Sequence, residues 1–331
     1  MKTALATTTI HVPKVLELYR AHDPDVMFFV AGDLKTPPEA KEFCEELGNC
    51  VYIDAEQNYA HAVHIGDNTD SKRNFALLEA MRWKADVIIS VDDDMVPHEE
   101  NFFGVFKRAC DPDPFWGLQL GFEDHWFDAG RYTNPPARQR GLPTDGKFSS
   151  GVLRHVHDVQ IGAAQGIILG VPDTDACTAF DTKPFVLGAT DFLRAGFVVD
   201  QRANAVFNSQ LTAFRAELAP AFAQFYFAQG RNTDIFSSLL MRRIMREKNL
   251  YTYFGPPAAI HARQPRPLLK DLQAERYGVD NIVRYAEYLN RAPLPKDISV
   301  VEQCRILAQG WNGPELEAAL AFYDDVESIL K

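Results

Sequence analysis

Ala85-Asp-Val-Ile-Ile-Ser-Val-Asp-Asp-Asp-Met-Val-Pro97 is the stretch from which the fold can be read. Val87, Ile88, Ile89 and Val91 form a short apolar run rich in β-branched residues, as expected of a parallel strand buried on both faces. It stops at three consecutive carboxylates, Asp92, Asp93 and Asp94, and Pro97 keeps the strand from simply continuing. Adjacent like charges repel and lose hydration when partly buried, a cost that a divalent cation relieves. Ligands of open α/β sheets bind at the carboxyl ends of strands. The triplet therefore reads either as an acidic turn or as a metal site for a phosphate-bearing ligand.

Upstream, strands are expected over residues 4–11, 26–30 and 50–53, alternating with helices over 12–21, 37–47 and 72–84. Pro37 and Pro38 suit a helix's first turn, Gly48 its end, and Ser71 an N-cap. Strand–helix alternation with short links predicts a mostly parallel α/β sheet flanked by helices. Downstream come a helix from Phe102 to Cys110, a strand over 115–120, and a long loop over 123–150 holding Arg131, Arg138 and Arg140. Then follow the apolar run around Gly166–Val171 and a short strand Tyr251–Phe254 ending at Gly255-Pro256-Pro257. His155 and His157 would share a strand face, but no third ligand stands at zinc spacing. Asp234 or Thr233 would cap the helix that begins near Ile235. From Leu268 onward the pattern is helical. The organisation expected is a nucleotide-binding α/β domain over 1–265 and a C-terminal helical extension over 266–331.

The 331 residues carry a net charge of −11, which argues against a nucleic-acid backbone as partner but not against a nucleotide held through a metal. No apolar run is long enough for a bilayer span. The five scattered cysteines lack a C-x-x-C and read as reduced thiols of a cytoplasmic protein. Neither G-x-G-x-x-G at the first turn nor G-x-x-x-x-G-K-[ST] is present, so glycine-rich phosphate cradling is excluded. Asp33, at the end of the second strand, is open to two readings: an acceptor for a base or ribose hydroxyl, or a turn residue.

Taken together, the Thr7-Thr8-Thr9-Ile10 strand, Asp33, Arg73-Asn74 and Asp92-Asp93-Asp94 resemble the GT-A nucleotide-sugar transferase fold. Gly166–Thr178, Asn208–Pro220, Asp234-Ile235-Phe236 and the segment from Gly255 through His261 to Glu275 are similar to the reversibly glycosylated polypeptides, the UDP-arabinopyranose mutases. STELLO-type glycosyltransferases share the framework. The resemblance implies that Asp92 and Asp94 bracket Mn²⁺ or Mg²⁺ on the diphosphate of a UDP-sugar, with His261 as a further metal contact. It implies Thr8 and Asp33 at the uridine, Arg73 at the ribose–phosphate side, Asp93 in the nucleotide site, and Asp234 facing sugar or acceptor. The mutases also carry a transiently glycosylated arginine, for which Arg154 is the nearest match, with different flanks and longer spacing. The expected function is metal-dependent glycosyl transfer from a UDP-sugar to an unknown acceptor. The alternatives are a UDP-sugar mutase acting through Arg154 and a non-catalytic scaffold subunit. A homo-oligomer through the C-terminal helices is a further expectation.

Overall fold

The computed structural model describes residues 1–98, 102–111, 115–121, 125–144, 146–148, 152–261 and 267–331. Ten strands form one mixed sheet: β1 (Thr3–Thr8), β2 (Met27–Ala31), β3 (Cys50–Ile53), β4 (Val87–Val91), β5 (Met95–Pro97), β6 (Phe115–Gly121), β7 (Val152–Gly170), β8 (Phe197–Val199), β9 (Leu211–Arg215) and β10 (Leu250–His261). Their order is β3-β2-β1-β4-β9-β7-β6-β8-β10-β5, with β7 also pairing β10. The first four strands are wholly parallel, and β9 enters antiparallel beside β4. Helices Leu16–His22, Glu39–Leu47 and Arg73–Arg82 make the crossovers. The fold class is the one expected from the sequence, an α/β sheet covered by helices with a helical C-terminal region.

The apolar runs are continuous because both faces of the sheet are buried. Ala4, Ala6, Phe29 and Ile88 pack with helices Arg73–Arg82 and Thr233–Glu247 and with the C-terminal helices. Their sequence neighbours Leu5, Phe28, Val30, Val87 and Ile89 pack on the opposite side with Tyr19, Cys44 and Phe102 to Phe106. The C-terminal helices Leu268–Arg291, Val300–Trp311 and Leu316–Leu330 contribute Tyr285, Leu307, Phe322 and Tyr323 to the first of these cores. None of the described helices is long and apolar enough to cross a membrane.

Four local expectations are corrected. The residues expected as two runs around Gly151–Asp158 and Gln165–Val171 form one strand of 19 residues, β7. Its first half is largely exposed, Val152 and Leu153 included, because it leaves the core and among the described residues pairs only with β6. Strand β10 does not end at Gly255 but runs through both prolines to His261, with register shifts that absorb them. Pro97 lies inside β5, which it tolerates at the sheet's edge. Ser71 does not cap the third helix; its hydroxyl accepts from the Tyr226 amide (2.8 Å).

Candidate functional site

The chain leaves β4 at its carboxyl end, and the triplet turns there. The alternation of three consecutive residues sends them to different partners. Asp93 turns back and takes the Thr9 hydroxyl, fixing the segment after β1. Burial raises its carboxyl above the usual range, against the pull of that hydrogen bond. Asp92 receives Nη2 of Arg73 on Oδ1, while its backbone amide donates to the Gln210 carbonyl (3.2 Å). Burial also raises the Asp92 carboxyl; Arg73 opposes that shift and Asp94 adds to it.

Arg73 is 1% exposed. Its Nη1 donates to the Val91 carbonyl (2.9 Å), the Ser90 hydroxyl (3.0 Å) and the Ala6 carbonyl (3.3 Å). The guanidinium expected at a ribose or phosphate is thus spent inside the fold, tying β1 to β4 and orienting Asp92.

His261 reaches Asp94 because β5 pairs antiparallel with the end of β10, placing His261 opposite Met95. His261 Nε2 stands 2.9 Å from Asp94 Oδ2, and Nδ1 stands 2.9 Å from the Val171 carbonyl. A carbonyl oxygen can only accept, so Nδ1 carries a proton. Nε2 then either donates a second N–H to Asp94 or, in the neutral ring, presents a lone pair beside the carboxylate that a cation could share with it. A backbone carbonyl at one ring nitrogen is the usual support for a histidine whose other nitrogen holds a metal. A separation near 2.9 Å is roughly that of two neighbouring ligands with bonds of about 2.1 Å to one cation. Among the described residues no group of three His, Cys, Asp or Glu side chains forms a complete metal set. The donors present therefore fit an ion that takes its remaining ligands from a bound diphosphate, the usual habit of Mg²⁺ at phosphate sites.

Thr8 and Asp33 sit side by side at the ends of β1 and β2. The Thr8 hydroxyl donates to the Ala31 carbonyl (3.1 Å). Asp33, 4% exposed, accepts from the Leu34 amide (2.7 Å) and the Thr69 amide (3.0 Å), so its carboxylate pins the turn. Both of its oxygens are engaged by the backbone, as the turn reading requires.

Asp234 opens the helix Thr233–Glu247 without capping it. Its oxygens receive Nη1 and Nη2 of Arg140 (3.0 and 2.9 Å) and the Ser209 amide (3.1 Å). Arg140 also donates through Nε to Asp173 (3.0 Å to each oxygen). Burial would lower the Arg140 pKa, but Asp173 and Asp234 together hold it well above its ordinary value. Arg231 continues the network to Glu275 and, at 3.6 Å, to Asp271 and Asp173. Asp70, exposed in the short turn just before Arg73, lies near enough to Asp92 to feel its charge. Loss of hydration, with Asp92 adding repulsion and Arg73 opposing, raises its carboxyl to about 6.

The structure thus brings together Asp92, Asp93, Asp94, Arg73, Thr8, Asp33 and His261, and links Asp234 to them through the adjacent residues Ser209 and Gln210. Arg154 does not join them. It lies exposed near the start of β7, its nearest acid Asp200 at 3.9 Å. Extended chain rises about 3.3 Å per residue, so roughly 50 Å of strand separates it from Gly170, beside His261. Asp70, Arg140, Asp173 and Arg231 were missed as site residues. The arginine-rich loop was the only sequence signal for Arg140, and nothing local marks the other three.

No family model and no curated protein matches the sequence. Among solved structures, the chain is similar to S. aureus TarS 1-349 in complex with UDP-GlcNAc, at 13% identity over 94% of this chain and 72% of that one, with a TM-score of 0.42. It is also similar to glucosyl-3-phosphoglycerate synthase from Mycobacterium tuberculosis in complex with Mn²⁺ and UDP-glucose, at 11% identity over 86% and 79%, TM-score 0.46. For that synthase with phosphoglyceric acid the values are 12%, 86%, 80% and 0.45. Likenesses this distant carry no inference about the chemistry of the chain.

Proposed function

We propose that this chain is a metal-dependent glycosyltransferase using a UDP-sugar donor. The observation that carries the reading is the convergence of Asp94 Oδ2 and His261 Nε2 at 2.9 Å at the carboxyl edge of the sheet, beside Asp92. A divalent cation there would neutralise the departing diphosphate. The chain's own residues do the rest. Arg73 holds Asp92 in place, Val171 fixes the imidazole, and Asp93 anchors the segment after β1 where Thr8 and Asp33 form the wall for the nucleoside. Asp234 and Asp173 keep Arg140 charged and still, and because every guanidinium nitrogen is taken by a carboxylate the three side chains shape that side of the site rather than donate to the sugar or acceptor. In this reading Asp234 acts through Arg140, because both its oxygens are already engaged.

The mutase alternative loses its nucleophile with Arg154 at the far end of β7. Incubation with a panel of UDP-sugars and Mn²⁺, following UDP release with and without hydroxyl acceptors, tests the proposal. Release that depends on metal supports it. Tight UDP binding with no release for any donor would favour the scaffold reading instead.

A further inference from the structure

We propose that the loop 125–148 carries a second, separate binding site, for the phosphate or carboxylate group of a small ligand, between Arg131, Arg138 and Phe148. A cavity of about 380 Å³ opens there, lined also by Asp128, Pro136 and Thr144. This is within the size range of small-molecule pockets and larger than a lone ion requires. Both guanidiniums lie over the same ring, Arg131 at 4.9 Å and Arg138 at 5.8 Å from the Phe148 centroid. Arg131 is exposed, and its side chain makes no hydrogen bond or ion pair with a described residue. Arg138 spends Nη2 on the Leu142 and Pro143 carbonyls (3.0 and 2.7 Å), which fixes its plane and leaves Nε and Nη1 without a described acceptor.

Two like charges set against one ring repel each other. In a chain of net charge −11 they stand out as a positive concavity. An anion between them relieves the repulsion and meets planar, forked donors suited to phosphate or carboxylate. The one acid among the described residues of the wall, Asp128, already accepts at Oδ1 from the Gly130 and Gln139 amides (2.9 and 3.3 Å). The cavity also has a neighbour: Gly130 and Ala137 separate it from a small cleft that reaches Asp173 and Asn208, next to Arg140. If the transferase proposal holds, on which this last step rests, the ligand is an acceptor bearing an acidic group.

The test is calorimetric titration of the metal-free full chain with inorganic phosphate and, separately, succinate, which distinguishes the two anion sources. Arg131→Met is the primary variant, because an exposed side chain without hydrogen bonds can be replaced without unfolding the loop. It should weaken binding about tenfold, the loss of one charge-assisted contact, as should Arg138→Met, while Asp128→Asn should bind as tightly or more tightly. UDP titrated with Mn²⁺ should be unchanged in Arg131→Met. Failure of both anions to bind the wild type, or equal affinity in Arg131→Met, would overturn the site. Anion binding without any UDP binding would leave this site standing and remove the donor proposal.

Discussion

Arg140 shows how much a single buried charge can demand. It and its partners Asp173 and Asp234 are each within a few per cent of full burial, and every nitrogen of the guanidinium has a carboxylate partner. Deleting one member of such a set leaves uncompensated buried charge, which typically costs about 3–5 kcal/mol. Arg140→Met should therefore lower the stability of the chain by that order in urea denaturation. Adding Asp234→Asn to the same variant should recover part of the loss, and a wild-type midpoint for Arg140→Met would contradict the network. This triad also marks where sequence reading stops. Asp92 and Asp94 were marked by a strand end, but His261 joined them only through the family resemblance, because the strand that carries it was expected to stop at Phe254. Arg140 sits in an irregular loop with no periodicity to place it. Asp234 read as a cap because residue type alone cannot tell an N-terminal carboxylate from one drawn to an arginine 94 positions away.

At the level of elements, the site depends on where β7 and β10 run side by side and stop. Gly170 lies opposite His261 with φ of +80°, and a Cβ there would come within 2.5 Å of the His261 carbonyl. Glycine is needed for both reasons. Gly170→Ala should strain the turn by about 1–3 kcal/mol and shift the imidazole. Mn²⁺-assisted UDP binding should fall by an order of magnitude or more while the metal-free affinity stays level. Equal losses with and without metal would mean that the strand end does not position the histidine. The parallel half of the sheet was legible because its strands are apolar on both faces and its helices carry proline and glycine at their ends. The exposed half of β7 and the proline-bearing bulge of β10 were not, since both depart from the patterns that mark a strand.

Across the whole molecule, the C-terminal helices close over the loop that leads to Asp70. Asp325 on the last helix receives the Ala60 and His61 amides and stands 2.7 Å from His61 Nδ1. Burial pushes the His61 pKa down. Asp325 is pulled below the carboxylate range by its hydrogen bonds with His61 and the backbone, which outweigh burial. Both folded-state pKa values are depressed, so each contributes stability at neutral pH that is lost on acidification. The loss begins as pH falls below the ordinary histidine value near 6.5 and deepens through the carboxylate range. Amide exchange in the helix Leu316–Leu330, divided by the intrinsic rate at each pH, should be faster at pH 5 than at pH 7.5. Asp325→Ala should show the fast exchange at both values, and a pH-independent wild type would rule out this latch. The tail's helical character was plain from its periodicity, which left open whether it packs on the sheet, as it does, or makes an oligomer contact.

The central claim is that Asp94 and His261 hold a cation on which a uridine diphosphate completes the coordination. Calorimetric titration of UDP with and without Mn²⁺, in the wild type and in His261→Gln, tests it most directly. UDP affinity should gain at least tenfold with Mn²⁺ in the wild type, and little or nothing in the variant. An equal gain in both, or no UDP binding by the wild type with metal present, would contradict it.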